Sequence, residues 1–321
     1  MDGEETVARE FGGRGLTALA LDELTEKLPA RIVVCGNLVQ DILVRPVADP
    51  VAWGTTAAVE QISQQLGGNG GTTSYTLAKL GIPVTLLSLA GWDAVGDQLI
   101  DQLRVNGVQC AVERGSLPTS VSISLVDGLG RRALLYQLGA SAGEFRWPGG
   151  WEGVTHLHVN AIYRMRDLRQ RGAELLKSAK ESGVSTSVDA QWDHLGEWPA
   201  LPATDLLFVN EDEAKHLTGL RDPAAAALAL RDHGAEEVVI KLGARGCFAS
   251  TAEGDFYSDA FPAEVVDTTG AGDCFCGAYL AALHAGKGHR EAARFANRIA
   301  AIAVGALGAT AALDSDQFSS S

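Results

Sequence analysis

The segment Asp267-Thr268-Thr269-Gly270-Ala271-Gly272-Asp273, running straight into CFCGAYLAALHAG at residues 274–286, decides how the rest of the chain is read. Its glycines leave backbone N–H groups uncovered where an Ala-rich helix, expected over Gly270–Ala285, begins. Such N–H groups and the positive end of the helix dipole together suit phosphate oxygens. No Lys follows, so the turn is not the GxxxxGK[ST] phosphate loop, and it is not the dinucleotide fingerprint either. The distinctive residue is Asp273. A carboxylate beside an anion site repels the ligand unless it has a task, such as accepting a proton from an attacking hydroxyl. Alone, a GxGD reads as an ordinary glycine-rich helix cap; the longer run and its partners point to chemistry.

Upstream, strands and helices alternate. Ile32–Gly36 is a short apolar run suited to a buried parallel strand. Strands are expected at Val84–Leu89, Val154–Val159, Val184–Val188, Leu206–Val209 and Val238–Lys241. Helices are expected at Thr72–Leu80, Gly96–Val105, Leu168–Glu181 and Glu291–Val304. This alternation predicts an α/β fold: a doubly wound, mostly parallel sheet with helices on both faces. Residues 41–64 and 120–137 break the pattern and predict a small β-sheet standing off the body as a lid. In the second, Asp127-Gly128-Leu129-Gly130 between VSISLV and RRALLYQL signals a hairpin. Residues 1–30 form an N-terminal extension to a domain over 31–321; leucines at helical spacing fit a docked helix or a flexible tail.

The chain has 321 residues with 26 Lys+Arg and 40 Asp+Glu, a net charge of −14. An acidic chain is a poor match for nucleic acid or an anionic membrane, so neither is expected as a partner. No long apolar run predicts a membrane span, and MDGEETVARE lacks the basic and apolar regions of a secretory signal. Five scattered cysteines without a CxxC pair argue against a disulfide framework or zinc site. A cytoplasmic location is the expectation.

With these residues in view, the chain resembles the ribokinase-like (PfkB) carbohydrate kinase family. The run Asp267–Asp273 is similar to that family's C-terminal signature. LGGNGGTTSYTLAKLG at Leu66–Gly81, followed by Gly91-Trp92-Asp93 and Gly96, resembles its looser N-terminal one. The resemblance implies an ATP-dependent sugar kinase that moves the γ-phosphoryl group to a hydroxyl, with Asp273 as general base. The amides of Gly270, Ala271 and Gly272 would form the anion hole. Asn210 and Glu213 match the family's NxxE motif and would help hold Mg²⁺ and its waters; a polar helix cap is the competing reading. Lys241, Gly243 and Gly246 resemble the turn through which the backbone approaches ATP. Asn297 falls at the family's adenine pocket, or is an exposed helix residue. Asp267 and Thr269 match a loop where many members bind K⁺.

On the acceptor side the resemblance implies Asn37, Asp41, Gly67, Gly68 and Thr72. The sequence departs from the pattern in three places: Thr72 stands where many members have Asn, Asn69 where ribokinases proper tend to have Lys, and Gln137 where ketogluconate kinases often carry Arg. Arg132 and Arg164 are read as solvated charges, and the expected substrate is an unphosphorylated, uncharged sugar or a nucleoside. A nucleoside kinase and a non-catalytic sugar-binding regulator are the alternatives. His156 and His158 resemble the HxH pair of metal hydrolases but are read as a packed strand. Cys274 and Cys276, at a helix start that could lower a thiol pKa, are read as packing. A homodimer through the lid is expected, since a small sheet leaves edges and one apolar face to cover.

Overall fold

In the computed structural model, strand β1 (Ile32–Cys35) is buried on both faces and lies inside the larger sheet, third from one edge. Ile32 and Val34 enter one hydrophobic cluster, Val33 and Cys35 another. This two-residue period across a doubly covered strand is why it reads as continuous hydrophobic sequence. The structure describes residues 32–48, 53–129, 131–147, 149–191, 203–308 and 310–314. The extension over 1–30 lies outside them.

Among the described residues the larger sheet has nine strands, in the order β13-β12-β11-β10-β9-β8-β1-β4-β5. They are β4 (Val84–Gly91), β5 (Gln109–Gly115), β8 (His156–Val159), β9 (Ser185–Asp189), β10 (Leu206–Asn210), β11 (Glu237–Lys241), β12 (Cys247–Thr251) and β13 (Gly254–Ser258), with β1. The sheet is parallel from β5 to β11, and β12 and β13 add antiparallel edges. Helices α1 (Asn69–Lys79), α2 (Ala94–Val105), α6 (Ala271–His284) and α7 (His289–Ala303) cover the Ile32 face; α3 (Arg166–Glu181), α4 (Glu211–Thr218) and α5 (Pro223–Asp232) cover the other. No helix of the described residues is long and apolar enough to cross a membrane.

The expected elements are present, with boundaries shifted by one to three residues. The helix expected from Thr72 starts at Asn69, because Gly70 can enter a helix against the Gly36 backbone where a Cβ would meet it at 2.6 Å. Strands β5, β12 and β13 and helices α4 and α5 are additions. The two short helices carry legible starts: the capping box of Asn210 and Glu213, and Asp222 before Pro223.

The two excursions pair as expected into a second sheet, in the order β3-β2-β6-β7: β2 (Val39–Val47), β3 (Gln61–Gly67), β6 (Ser120–Asp127) and β7 (Arg132–Gln137). Asp127 fixes the hairpin turn by accepting the N–H groups of Leu129 (2.9 Å) and Arg131 (2.8 Å). Its register sorts the two faces. One row, Gln65-Asp41-Ser122-Tyr136, faces the same way as Leu43, Ser124 and Leu134; the opposite rows carry Ile62, Val44, Leu125 and Ala133, then Ile42, Ile123 and Leu135.

Candidate active site

The carboxyl ends of β1, β9, β10 and β11 place Asn37, Asp189, Asn210 and Lys241 at one edge of the sheet, where open α/β sheets bind ligands. The small sheet faces them. Between the two is a cavity of about 530 Å³ holding Asn37, Asp41, Thr72, Asn210, Glu213 and Asp273 together.

The turn before α6 is braced from inside. Asp267 accepts the Thr269 N–H (2.9 Å) and hydroxyl (2.7 Å) and the Gly308 N–H (3.0 Å). Gly270 caps the helix at φ 71°, a left-handed conformation natural to glycine. The Ala271 N–H donates to the Thr268 carbonyl at 3.3 Å; of the three expected anion-hole amides, that leaves Gly270 and Gly272 for an incoming anion. Gly272 also makes room for Lys241, whose Nζ would stand 3.3 Å from a Cβ there.

Asp273 lies in the first turn of α6 and is buried. Asn69 Nδ2 donates to its Oδ1 at 2.9 Å. Burial, with the neighbouring Asp189, pushes its carboxyl up to about 7, against the pull of Asn69 and Lys241. A carboxylate near 7 is matched to proton abstraction at neutral pH. Lys241 Nζ donates to both oxygens of Asp189, at 2.7 and 2.9 Å. Burial opposes the charge on Lys241, but the carboxylates of Asp189, first, and Glu213 outweigh it and hold the ammonium protonated. Lys241 lines the cavity, ahead of the glycine turn that follows it.

Asn210 and Glu213 form the helix cap, and that cap leaves them on the cavity wall. The Glu213 N–H donates to Asn210 Oδ1 (2.8 Å) and the Asn210 N–H to Glu213 Oε2 (2.7 Å), a complete capping box, and both side chains line the cavity. A buried carboxylate and an amide oxygen on the wall fit Mg²⁺, which takes few protein oxygens and keeps phosphates and waters for the rest. No group of three or more His, Cys, Asp or Glu among the described residues makes a protein cage for a metal.

Gly243 (φ 60°) and Gly246 (φ 84°) turn the chain between β11 and β12, and neither lines the cavity. A Cβ on Gly246 would meet the Ser258 carbonyl at 2.0 Å. Asn297 is buried, correcting the exposed alternative: its Nδ2 donates to the Ser258 carbonyl (3.0 Å) and hydroxyl (3.1 Å).

On the acceptor side, Asn37 Oδ1 accepts the Asn69 N–H at 2.8 Å and its Nδ2 donates to the Tyr136 hydroxyl at 3.1 Å. Gly67 and Gly68 act sterically. A Cβ on Gly67 would lie 2.0 Å from Asp41 Oδ2, and one on Gly68 2.6 Å from the Asn37 carbonyl. Thr72 is buried on the wall. Burial pushes Asp41 up to about 6, and a hydrogen bond from Ser122 with the charges of Arg164 and Arg132 offsets only part of that.

Arg132 is exposed, as its reading as a solvated charge expects, and Arg164 is half-buried; both line the cavity. Arg132, though exposed, donates from Nη1 to the Thr269 hydroxyl at 2.9 Å, and Arg164 lies over the Tyr136 ring, 4.7 Å from its centroid. Gln137 is exposed and does not line the cavity. Sequence reasoning missed Asp189, Tyr136 and the role of Asn69. Only the Asn-for-Lys departure at Asn69 hinted at any of them.

His156 and His158 are strand packing, as expected. His156 Nδ1 and Nε2 meet the hydroxyls of Ser185 and Ser187 at 2.7 Å each, and His158 Nδ1 meets Ser187 at 2.8 Å. Burial pushes the His156 imidazole down to about 4. Burial also pushes the Cys274 thiol up to about 12 and Cys276 well above its ordinary value, so the helix dipole activates neither.

A mostly parallel sheet, a small sheet across its carboxyl edge, and an anion turn with a buried carboxylate define a phosphotransferase of the carbohydrate kinase class. The sequence pattern described as pfkB family carbohydrate kinase matches residues 30–316, and the chain belongs to that family. It is 26% identical over 278 residues to a ribokinase of Haemophilus influenzae, covering 82% of this chain and 89% of that one. It is 25% identical over 280 residues to a 2-dehydro-3-deoxygluconokinase of Thermoproteus tenax, covering 80% and 85%. Among solved structures it resembles aminoimidazole riboside kinase from Salmonella enterica, complexed with aminoimidazole riboside and an ATP analog. There the TM-score is 0.74 at 25% identity, over 90% of this chain and 98% of that one.

Proposed function

We propose that the chain transfers the γ-phosphoryl group of ATP to a hydroxyl of a sugar, with Asp273 as the general base. The observation that carries this is the buried Asp273 carboxyl, held near 7 beside the Gly270–Gly272 turn and sharing one cavity with Asp41. The acceptor hydroxyl lies between Asp273 and the phosphoryl group at the turn. Asp41, Asn37 and Thr72 orient the sugar, and Asp273 takes the proton as the oxygen attacks. Bound Mg²⁺ supplies charge neutralisation on the phosphates, and Asn210 and Glu213 are the residues placed to hold it. Catalysis is otherwise positioning and charge stabilisation. The nucleotide's base lies beyond the cavity, toward Gly243, Gly246 and Asn297.

A sugar is favoured over a nucleoside because the Arg164 guanidinium covers the Tyr136 ring face on which a base would stack. A binder without catalysis has no use for a raised carboxyl at an anion turn. A K⁺ activator at Asp267 and Thr269 would be held largely by backbone carbonyls, since the Asp267 carboxylate already accepts three donors. The apolar rows of the small sheet, with Ile62 and Leu135 exposed, support a homodimer through that face. A cytoplasmic setting agrees with five free cysteines. ADP release from ATP across a panel of sugars and nucleosides tests the reading: a sugar should raise it above background, and dependence on nucleosides alone would favour the second reading.

A further inference from the structure

Two described residues other than glycine hold left-handed backbone, Ala161 (φ 56°) and Gln191 (φ 47°). They stand just beyond the carboxyl ends of two neighbouring strands, Ala161 after β8 and Gln191 after β9. An L side chain disfavours that conformation, and where it persists the surrounding structure or a function must hold it.

Local structure accounts for Ala161. Its carbonyl accepts the N–H groups of Arg164 (2.9 Å) and Met165 (3.0 Å), which closes the turn into α3, and its methyl group is buried in the core. Gln191 differs. Ala190 is still in the core, and its N–H donates to the Phe208 carbonyl at 2.9 Å. One residue on, the chain leaves the sheet with Gln191 on the wall of the active cavity, beside Asp189 and Arg164. Glycine would hold this φ without strain, so a glutamine there needs a reason in its side chain.

We propose that Gln191 is a specificity-determining residue for the acceptor: its side-chain amide hydrogen-bonds a sugar hydroxyl other than the one that is phosphorylated. This rests on the kinase reading above and adds a contact to it.

The amide is unengaged. Gln191 Oε1 is buried and has no hydrogen-bond partner among the described residues. Asn37, by contrast, already uses its oxygen on the Asn69 N–H and its amide on the Tyr136 hydroxyl, and Lys241 is bound to both oxygens of Asp189. A buried amide oxygen without a donor is unfavourable, and an arriving hydroxyl relieves it. The oxygen faces into the wall as the site stands empty. Rotation about the terminal side-chain torsion, which is broad and roughly two-fold, turns it to the cavity and breaks no hydrogen bond of Oε1. Gln191 can then accept from one hydroxyl and donate to its neighbour.

Three elements now reach the acceptor. Asp41 comes from β2 of the small sheet, Gln191 from the end of β9 in the main body, and Asp273 from the first turn of α6. Contacts from three separate elements fix a sugar's face as well as its position, so Gln191 reads the configuration of one carbon.

The test uses the best acceptor of the sugar panel, its monodeoxy forms and its epimers, with wild type, Gln191→Leu and Gln191→Gly. At one carbon other than the phosphorylated one, losing or inverting the hydroxyl should lower wild-type kcat/KM roughly 5- to 100-fold, the effect of a hydrogen bond whose buried partner is left unpaired. Gln191→Leu should lower kcat/KM for the intact acceptor by about that factor through KM, keep the ATP KM near wild type, and no longer distinguish the altered carbon. Gln191→Gly removes the backbone strain, so it should melt no lower than wild type and yet show the same loss. A Gln191→Leu enzyme that penalises every altered acceptor as wild type does would overturn the proposal, and so would a Gln191→Gly enzyme with the wild-type acceptor KM. Calorimetry of the sugar panel without ATP separates this from the kinase reading. Sugar binding weakened in Gln191→Leu supports the contact even where no ADP is released, and binding that is absent or equal in the two proteins refutes it.

Discussion

Replacing Asn69 by Leu removes the one side-chain donor seen on Asp273 and keeps a side chain of similar size. The Asn69 amide stabilises the ionised carboxylate through a 2.9 Å hydrogen bond, so its loss raises the Asp273 value above its present level of about 7. A hydrogen bond to a charged group contributes roughly 1.5–3 kcal/mol, which corresponds to about one to two pH units. Asp273 acts ionised, so the acid limb of the rate profile moves upward. At pH 7 the ionised fraction falls from about one half to between roughly 10% and 1%, a loss of about 5- to 50-fold in rate. The loss is largely recovered near pH 9. The assay is kcat/KM against pH for wild type and variant. A uniform loss at every pH would reduce Asn69 to a structural role. An acid limb that stays in place would refute the account of how Asp273 is tuned.

Three further outcomes follow from the same geometry. Lys241→Met strands the buried Asp189 carboxylate and should cost roughly 3–5 kcal/mol, read by denaturant unfolding; Lys241→Met with Asp189→Leu should recover much of it. Gly67→Ala drives a Cβ to 2.0 Å from Asp41 Oδ2 and should raise the acceptor KM strongly while leaving the ATP KM near wild type. Asp41→Asn should raise the thermal midpoint at pH 7 as it abolishes tight acceptor binding. The sign follows from the carboxyl standing at about 6 in the fold, above its ordinary 3.8. The folded chain therefore holds that proton more tightly, and stability falls as pH rises between those values. Below about pH 4 wild type and variant should melt together.

The parallel sheet was legible because strands buried on both faces read as near-continuous apolar runs, as β1 does without a break and β4 does around Thr85 and Ser88. The anion turn was legible because a helix cap with positive φ demands glycine at a fixed place, and Gly270 occupies it. The hairpin at Asp127 was legible for the same kind of local reason. What stayed hidden is non-local. Asn69 meets Asp273 across 204 residues, and Lys241 meets Asp189 across 52. No spacing rule carries such pairs. That Arg132 and Arg164 line the cavity was hidden too, because it takes the small sheet and the main body together to form that wall. Asn210 and Glu213 had two readings in sequence; the fold shows the helix cap and sets both residues on the cavity wall.

The central claim is that Asp273 takes the acceptor's proton. The direct measurement is turnover of Asp273→Asn, with ATP binding followed separately by calorimetry. The account predicts ATP affinity near wild type and turnover lower by roughly 10²–10⁴-fold, the usual contribution of a general base. Turnover within a few-fold of wild type, with the same dependence on pH, would contradict it.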